Sequence, residues 1–101
     1  MAEMLYVVTQ LEAVPQRMEA ALATARRLAR EMSSCPGAHR VVLLQRIHTP
    51  TNVEIVSRWE SDDDYQSALR SPLLQATRSE IDLLLAAPID DRLHHAMPTG
   101  S

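Results

Sequence analysis

The chain has 101 residues, 46% of them hydrophobic but only 3% aromatic, with 13 acidic against 10 basic side chains and a net charge of −3. That length sets the expectation of one domain over 1–101 with a thin core. Three rings, Tyr6, Trp59 and Tyr65, are too few for the stacking platforms of single-strand binders, and the acidic balance argues against a nucleic-acid footprint. Cys35 stands alone, which excludes an internal disulfide framework and a multi-cysteine zinc site.

Met4 to Ala13 reads as a first strand, apolar on both parities from Met4 to Val8, so both of its faces are expected to be covered. Pro15 suits the first turn of a helix, where its missing N–H is harmless. Met18, Ala21, Leu22, Ala25, Leu28, Ala29 and Met32 then follow at helical spacing, until Pro36 and Gly37 end the helix. Ala38 to His48 is a second strand, with a centre, Val41 to Leu44, again apolar on both parities. Thr49 to Asn52 is a turn, and Val53 to Glu60 a third strand carrying Val53, Ile55, Ser57 and Trp59 on one face. The short connection predicts a hairpin. Ser61 is expected to cap a helix whose first turn holds Asp62, Asp63 and Asp64. Ser71 and Pro72 restart the helical pattern, with Leu73, Leu74, Thr77, Ile81, Leu84 and Leu85 as its apolar stripe and Pro88 as its end. Ile89 to Met97 alternates and reads as a fourth strand. Residues 98–101 form a polar tail to a core of about 4–97.

The order β-α-β-β-α-β predicts an α+β, ferredoxin-like split βαβ fold with an antiparallel sheet. Its helices cover one face, so the other apolar face is expected to bury itself against a second copy, making a homodimer. No basic region precedes Met4, and the apolar run from Ile81 to Ala87 contains Asp82 and is too short to cross a bilayer. The expected location is cytoplasmic, without membrane contact.

This order, with Ser34-Cys35-Pro36-Gly37 before the second strand, Arg58-Trp59-Glu60-Ser61 after the third and Ser71-Pro72-Leu73-Leu74-Gln75-Ala76 in the second helical region, resembles the antibiotic biosynthesis monooxygenase family from Met4 to Met97. The resemblance implies a dimeric α/β barrel. It also implies a cofactor-independent monooxygenase that oxidises a polycyclic, anthrone-like or phenolic aromatic substrate with O2 to a quinone. Trp59, Tyr65 and Arg78 match that subgroup's catalytic pattern, whereas its Asn four residues before the Trp is Ile55 here. Haem-degrading members need a His shortly after the Trp and an Asn in the first strand. No His lies between Trp59 and Asp90, and the first-strand position is Thr9, so haem is disfavoured. Flavin is equally not expected, with O2 the co-substrate.

In that chemistry Arg78 supplies a permanent cation, Tyr65 a hydroxyl for a carbonyl, and Trp59 an apolar face with one N–H. Thr9, Ser57, Ile55 and Gln45 would line the substrate site, and His39 could act as a base. The bland readings are a core Trp59, a packed Tyr65, a solvated Arg78 and an exposed His39. The alternatives to the oxygenase are a non-catalytic ligand-binding dimer and a cofactor-free cyclase or isomerase.

Overall fold

A computed structural model describes residues 4–100. Strand β1 spans Leu5–Glu12 and alternates, with Val7, Thr9 and Leu11 buried and Tyr6, Val8 and Gln10 half-buried. A 3-10 turn at Pro15–Arg17 opens helix α1, Met18–Ser33, with Pro15 where no N–H is required. The buried stripe of α1 is Ala21, Thr24, Ala25, Leu28 and Met32, whose small members let the helix lie close to the sheet.

The chain leaves α1 through Gly37, whose φ of +84° only glycine adopts without strain. A Cβ there would stand 2.5 Å from Asp64 Cγ, so the missing side chain also admits the start of the next helix. Strands β2, Ala38–Gln45, and β3, Asn52–Trp59, form the expected hairpin. Helix α2, Asp62–Leu69, is capped by Ser61, whose Oγ accepts the Asp64 N–H at 3.1 Å and donates to the Asp64 carboxylate at 3.0 Å. Helix α3, Pro72–Asp82, begins with Pro72, and Ser71 caps it in position only, its side chain making no capping bond. Strand β4 is Asp90–His95. The sheet order is β2-β3-β1-β4, every pair antiparallel, which is the ferredoxin-like α+β arrangement. Helix α1 packs on β2, β3 and α3, and α2 packs on β3 and α3, so one face of the sheet is covered.

Several boundaries differ from expectation for physical reasons. Strand β2 stops at Gln45 rather than His48, because the hairpin turn takes over with Arg46 donating to Asn52 O and Asn52 to Thr49 O. Helix α3 ends at Asp82 rather than near Pro88. The segment after it serves the end of β1 instead: Val14 donates to Leu84 O, Ala86 to Glu12 O, and Ala13 bridges Leu85. Leu73, expected in the apolar stripe, is 58% exposed. The largest fully buried side chains of the core are Trp59 and Tyr65, while Tyr6 lies on the other face of the sheet.

That other face is arranged in rows across the strands. Arg40, Arg58, Tyr6 and His94 share one row, Val42, Val56, Val8 and Arg92 the next, and Leu44, Glu54, Gln10 and Asp90 the third. Basic, apolar and acidic character thus follow one another along the strands. Among the described residues, no helix is long and apolar enough to cross a membrane.

Candidate functional site

The helix-covered face gathers a polar cluster inside an apolar surround. Register sets Thr9 of β1 between Ile55 of β3 and Asp91 of β4, and one row on it sets Val7 beside Ser57. The alternation of β3 turns Ile55, Ser57 and Trp59 inward, and all three are fully buried. Tyr65 enters from the first turns of α2 and Arg78 from the second half of α3.

The side chains join in two groups. Trp59 Nε1–H donates to Ser57 Oγ at 2.8 Å, and the Trp59 ring meets Tyr65 at a centroid distance of 5.5 Å with planes tilted by 59°, a favourable aromatic contact. Arg78 grips Asp91 with both terminal amines, at 2.6 Å to Oδ2 and 3.3 Å to Oδ1, while Thr9 donates its hydroxyl to Oδ1 at 2.8 Å. Arg78 is therefore not a free cation, because its charge is matched by Asp91.

Tyr65 connects the two groups. It is 2% exposed, yet its hydroxyl has no hydrogen-bond partner. Burial, and secondarily the Asp91 carboxylate, push its phenol well above the ordinary tyrosine range, and Arg78 opposes them only in part. The hydroxyl therefore stays protonated at neutral pH, a donor held in the interior beside the Asp91 carboxylate but without a hydrogen bond of ordinary length. An unsatisfied buried hydroxyl costs about 1–3 kcal/mol. Tyr65→Phe is accordingly expected to leave the thermal midpoint unchanged or to raise it by a few degrees, about 1 kcal/mol at most, as read by calorimetry. A fall in the midpoint would mean that the hydroxyl is satisfied within the fold.

Six of the eight residues singled out in the sequence converge here: Thr9, Ile55, Ser57, Trp59, Tyr65 and Arg78. His39 does not. It sits where the β2–β3 register slips between Ala38 and Arg40, is exposed, and faces Glu60 at 3.3 Å. Gln45 is also outside, donating to Pro50 O at the hairpin. Asp91 was missed by the sequence reading. Its signal was its place between Ile89 and Leu93 on the inward parity of β4, where a carboxylate needs a partner.

A cavity of about 630 Å3 lies elsewhere, across the end of the sheet marked by Glu12, Leu44, Arg46, Glu54, Pro88 and Asp90. None of the cluster residues lines it. Cys35 is half-buried with its thiol pushed up by burial and then by Glu31, the opposite of an activated nucleophile. Among the described residues, no three His, Cys, Asp or Glu side chains are placed to hold a metal ion.

Comparison with known proteins agrees with this architecture. The chain is similar over 97% of its length to a solved structure from Chloroflexus aurantiacus J-10-fl, provisionally assigned as an antibiotic biosynthesis monooxygenase, with 26% identity, 95% of that chain covered and a TM-score of 0.76. A protein of the same provisional assignment from Nitrosomonas europaea matches at 18% identity over 99% of this chain and 97% of that one, with a TM-score of 0.87. A Mycobacterium tuberculosis protein matches at 15% identity over 97% and 99%, with a TM-score of 0.86. No curated protein gives a significant match. The family model for antibiotic biosynthesis monooxygenase matches residues 4–80, which takes in β1 to all but the last two residues of α3 and every residue of the cluster except Asp91, and the chain belongs to that family.

Proposed function

We propose that the cluster is the pocket of a cofactor-independent monooxygenase acting on a flat, polycyclic phenol or anthrone-like compound, with O2 as co-substrate and neither flavin nor haem required. The observation that carries this reading is the buried, partnerless Tyr65 hydroxyl beside the Trp59 ring. It supplies a hydrogen bond for a ring carbonyl, and Trp59 supplies the face on which a fused ring lies. The reaction converts a ring CH2 and O2 into a ring C=O and water. The substrate loses a proton to become an electron-rich anion, that anion reduces O2 and bonds to it, and the resulting peroxide takes the proton back and loses water. The chain's part is to hold the carbonyl through Tyr65, to bring the Arg78 guanidinium, matched by Asp91 in the resting chain, near the anion as it develops, and to exclude bulk water. Trp59 and Tyr65 are shut from solvent, so the substrate reaches them only when neighbouring side chains move aside.

Oxygen uptake by metal-free protein supplied with anthrone tests this. One O2 is expected to disappear per quinone formed, with a loss of at least about 100-fold in a Trp59→Phe, Arg78→Ala double variant. An undiminished rate in that variant would overturn the residue assignment. A second reading, a binding module without turnover, is favoured by the internal satisfaction of Trp59 N–H by Ser57 and of Arg78 by Asp91. It is distinguished by ring binding with no O2 consumed.

We also propose that the open face of the sheet packs on a second copy. Its three rows are self-complementary about a two-fold axis running along the apolar row. In that arrangement Arg58 of one copy lies over Glu54 of the other, His94 over Asp90, and Val8, Val42 and Val56 over their own equivalents. Arg58 Nε is buried without an acceptor in the single chain, which suits a carboxylate supplied from across the interface. An axis running along the strands would instead stack basic row on basic row. A four-stranded face of this size covers roughly 500 Å2, so two copies bury about 1,000 Å2, enough for a specific interface.

A further inference from the structure

We infer that the Tyr65 pocket accepts only uncharged aromatic ligands bearing a hydrogen-bond acceptor, and that Asp91 is the residue that imposes this selection. The inference rests on the reading of the cluster as a ligand pocket and goes beyond it in naming the charge of the ligand and the residue that sets it. Arg78, taken alone, would invite an anion. Its fork is instead closed on Asp91, with contacts to both carboxylate oxygens, and Thr9 fixes one of those oxygens from the other side. The pair is neutral as a unit, and each member occupies the other's strongest site. A carboxylate placed against the Tyr65 hydroxyl would give up its water and meet the Asp91 charge, with the matching cation already engaged. A carbonyl or neutral phenol meets no such repulsion. It also satisfies the Tyr65 hydroxyl, the one buried hydroxyl among the described residues that makes no hydrogen bond of ordinary length. Val7, Ile55, Leu74 and Ile81, in the same buried core cluster as Trp59 and Tyr65, are apolar and offer an anion nothing. Selection against charge is thus built from a repulsive element, Asp91, as much as from an attractive one, Tyr65.

Trp59 is the only tryptophan in the chain, so its fluorescence reports on this pocket alone. The probes are 1-naphthol and 1-naphthoate at neutral pH, the first uncharged and the second an anion of the same ring. The wild-type protein is expected to bind naphthol at least tenfold more tightly than naphthoate. Asp91→Asn, which keeps an acceptor for Thr9 but frees the Arg78 charge, is expected to reverse that preference. Arg78→Gln, which leaves the Asp91 charge unmatched, is expected to widen it. A bridge that matters only for folding would move both ratios together or not at all. Equal binding of the two probes by wild type, or shifts of the same sign in the two variants, would overturn the inference while leaving the pocket in place. Should Asp91→Asn fail to fold by circular dichroism, the wild-type ratio and the Arg78→Gln ratio decide by the same criteria. If neither probe quenches Trp59 in wild type, the pocket itself is overturned, and the selection with it.

Discussion

Arg58→Glu is expected to convert a dimer into a monomer, and Glu54→Arg added to it is expected to restore the dimer. The reason lies in the row pattern of the open sheet face, with Arg40 and Arg58 at one end, Glu54 and Asp90 at the other, and Val8, Val42 and Val56 between them. In a two-fold arrangement each cross-copy pair occurs twice, so one substitution places two like-charge contacts in the interface. Such contacts cost several kcal/mol, which corresponds to a dissociation constant raised at least about 100-fold. The double exchange reverses the direction of each Arg58–Glu54 pair and keeps its attraction. Arg92 is the one basic residue of the apolar row and meets its own equivalent across the axis, a like-charge contact that its ion pair with Asp90 at 2.9 Å offsets. Sedimentation equilibrium reads the outcome directly, and the wild-type association should weaken with added salt where the pairs are solvent-accessible. A monomeric wild type, or an Arg58→Glu variant as dimeric as wild type, would refute the arrangement.

The same face shows how far the sequence could be read. The order of elements was plain, because each has a local signal: Pro15 before α1, Gly37 after it, Ser61 before three aspartates, Pro72 at the start of α3. The inward face of β3 was plain as well, since Val53, Ile55, Ser57 and Trp59 share one parity and all are buried. In β1 it was hidden, because Val7 and Val8 are equally apolar and only pairing with β3 decides that Val7 faces the helices. Arg78 could be marked as a candidate from the chain alone, but its partner could not. Asp91 lies on another element, and nothing local to β4 announces that α3 delivers a guanidinium to it. His39 misled for a similar reason: the irregular register between Ala38 and Arg40 takes it out of simple alternation, and an irregularity of pairing is a property of two strands. What the sequence concealed was in each case the long-range partner rather than the local conformation.

Trp59→Ala is expected to lower the thermal midpoint by roughly 15–30 °C, from a loss of about 3–5 kcal/mol. The ring is fully buried at the end of β3, its strand neighbours are Leu5 and Ala38, and Tyr65 leans on it from α2. Removing it opens a cavity where sheet and helix meet, and it also strips Ser57 of its indole donor in a site with no water access. A chain of this size has only about 5–15 kcal/mol of total stability, so the loss is a large share of it. Trp59→Phe separates the structural from the functional part of that loss. Phenylalanine keeps a ring against Tyr65 and gives up volume and the Ser57 bond, for an expected loss of about 1–2 kcal/mol, well inside what the fold tolerates. If Trp59 serves only the core, Trp59→Phe should retain ligand binding in proportion to the folded fraction. If it forms the platform for a fused ring, ligand affinity or oxygenation should fall by much more than the folded fraction, because a smaller ring without an N–H presents less surface and no polar anchor. Denaturant melts of both variants, read beside ring binding on the same preparations, make the comparison. A Trp59→Ala variant that loses less than about 1 kcal/mol would mean that the ring packs loosely enough to be displaced, and ligand entry would then proceed past Trp59 itself.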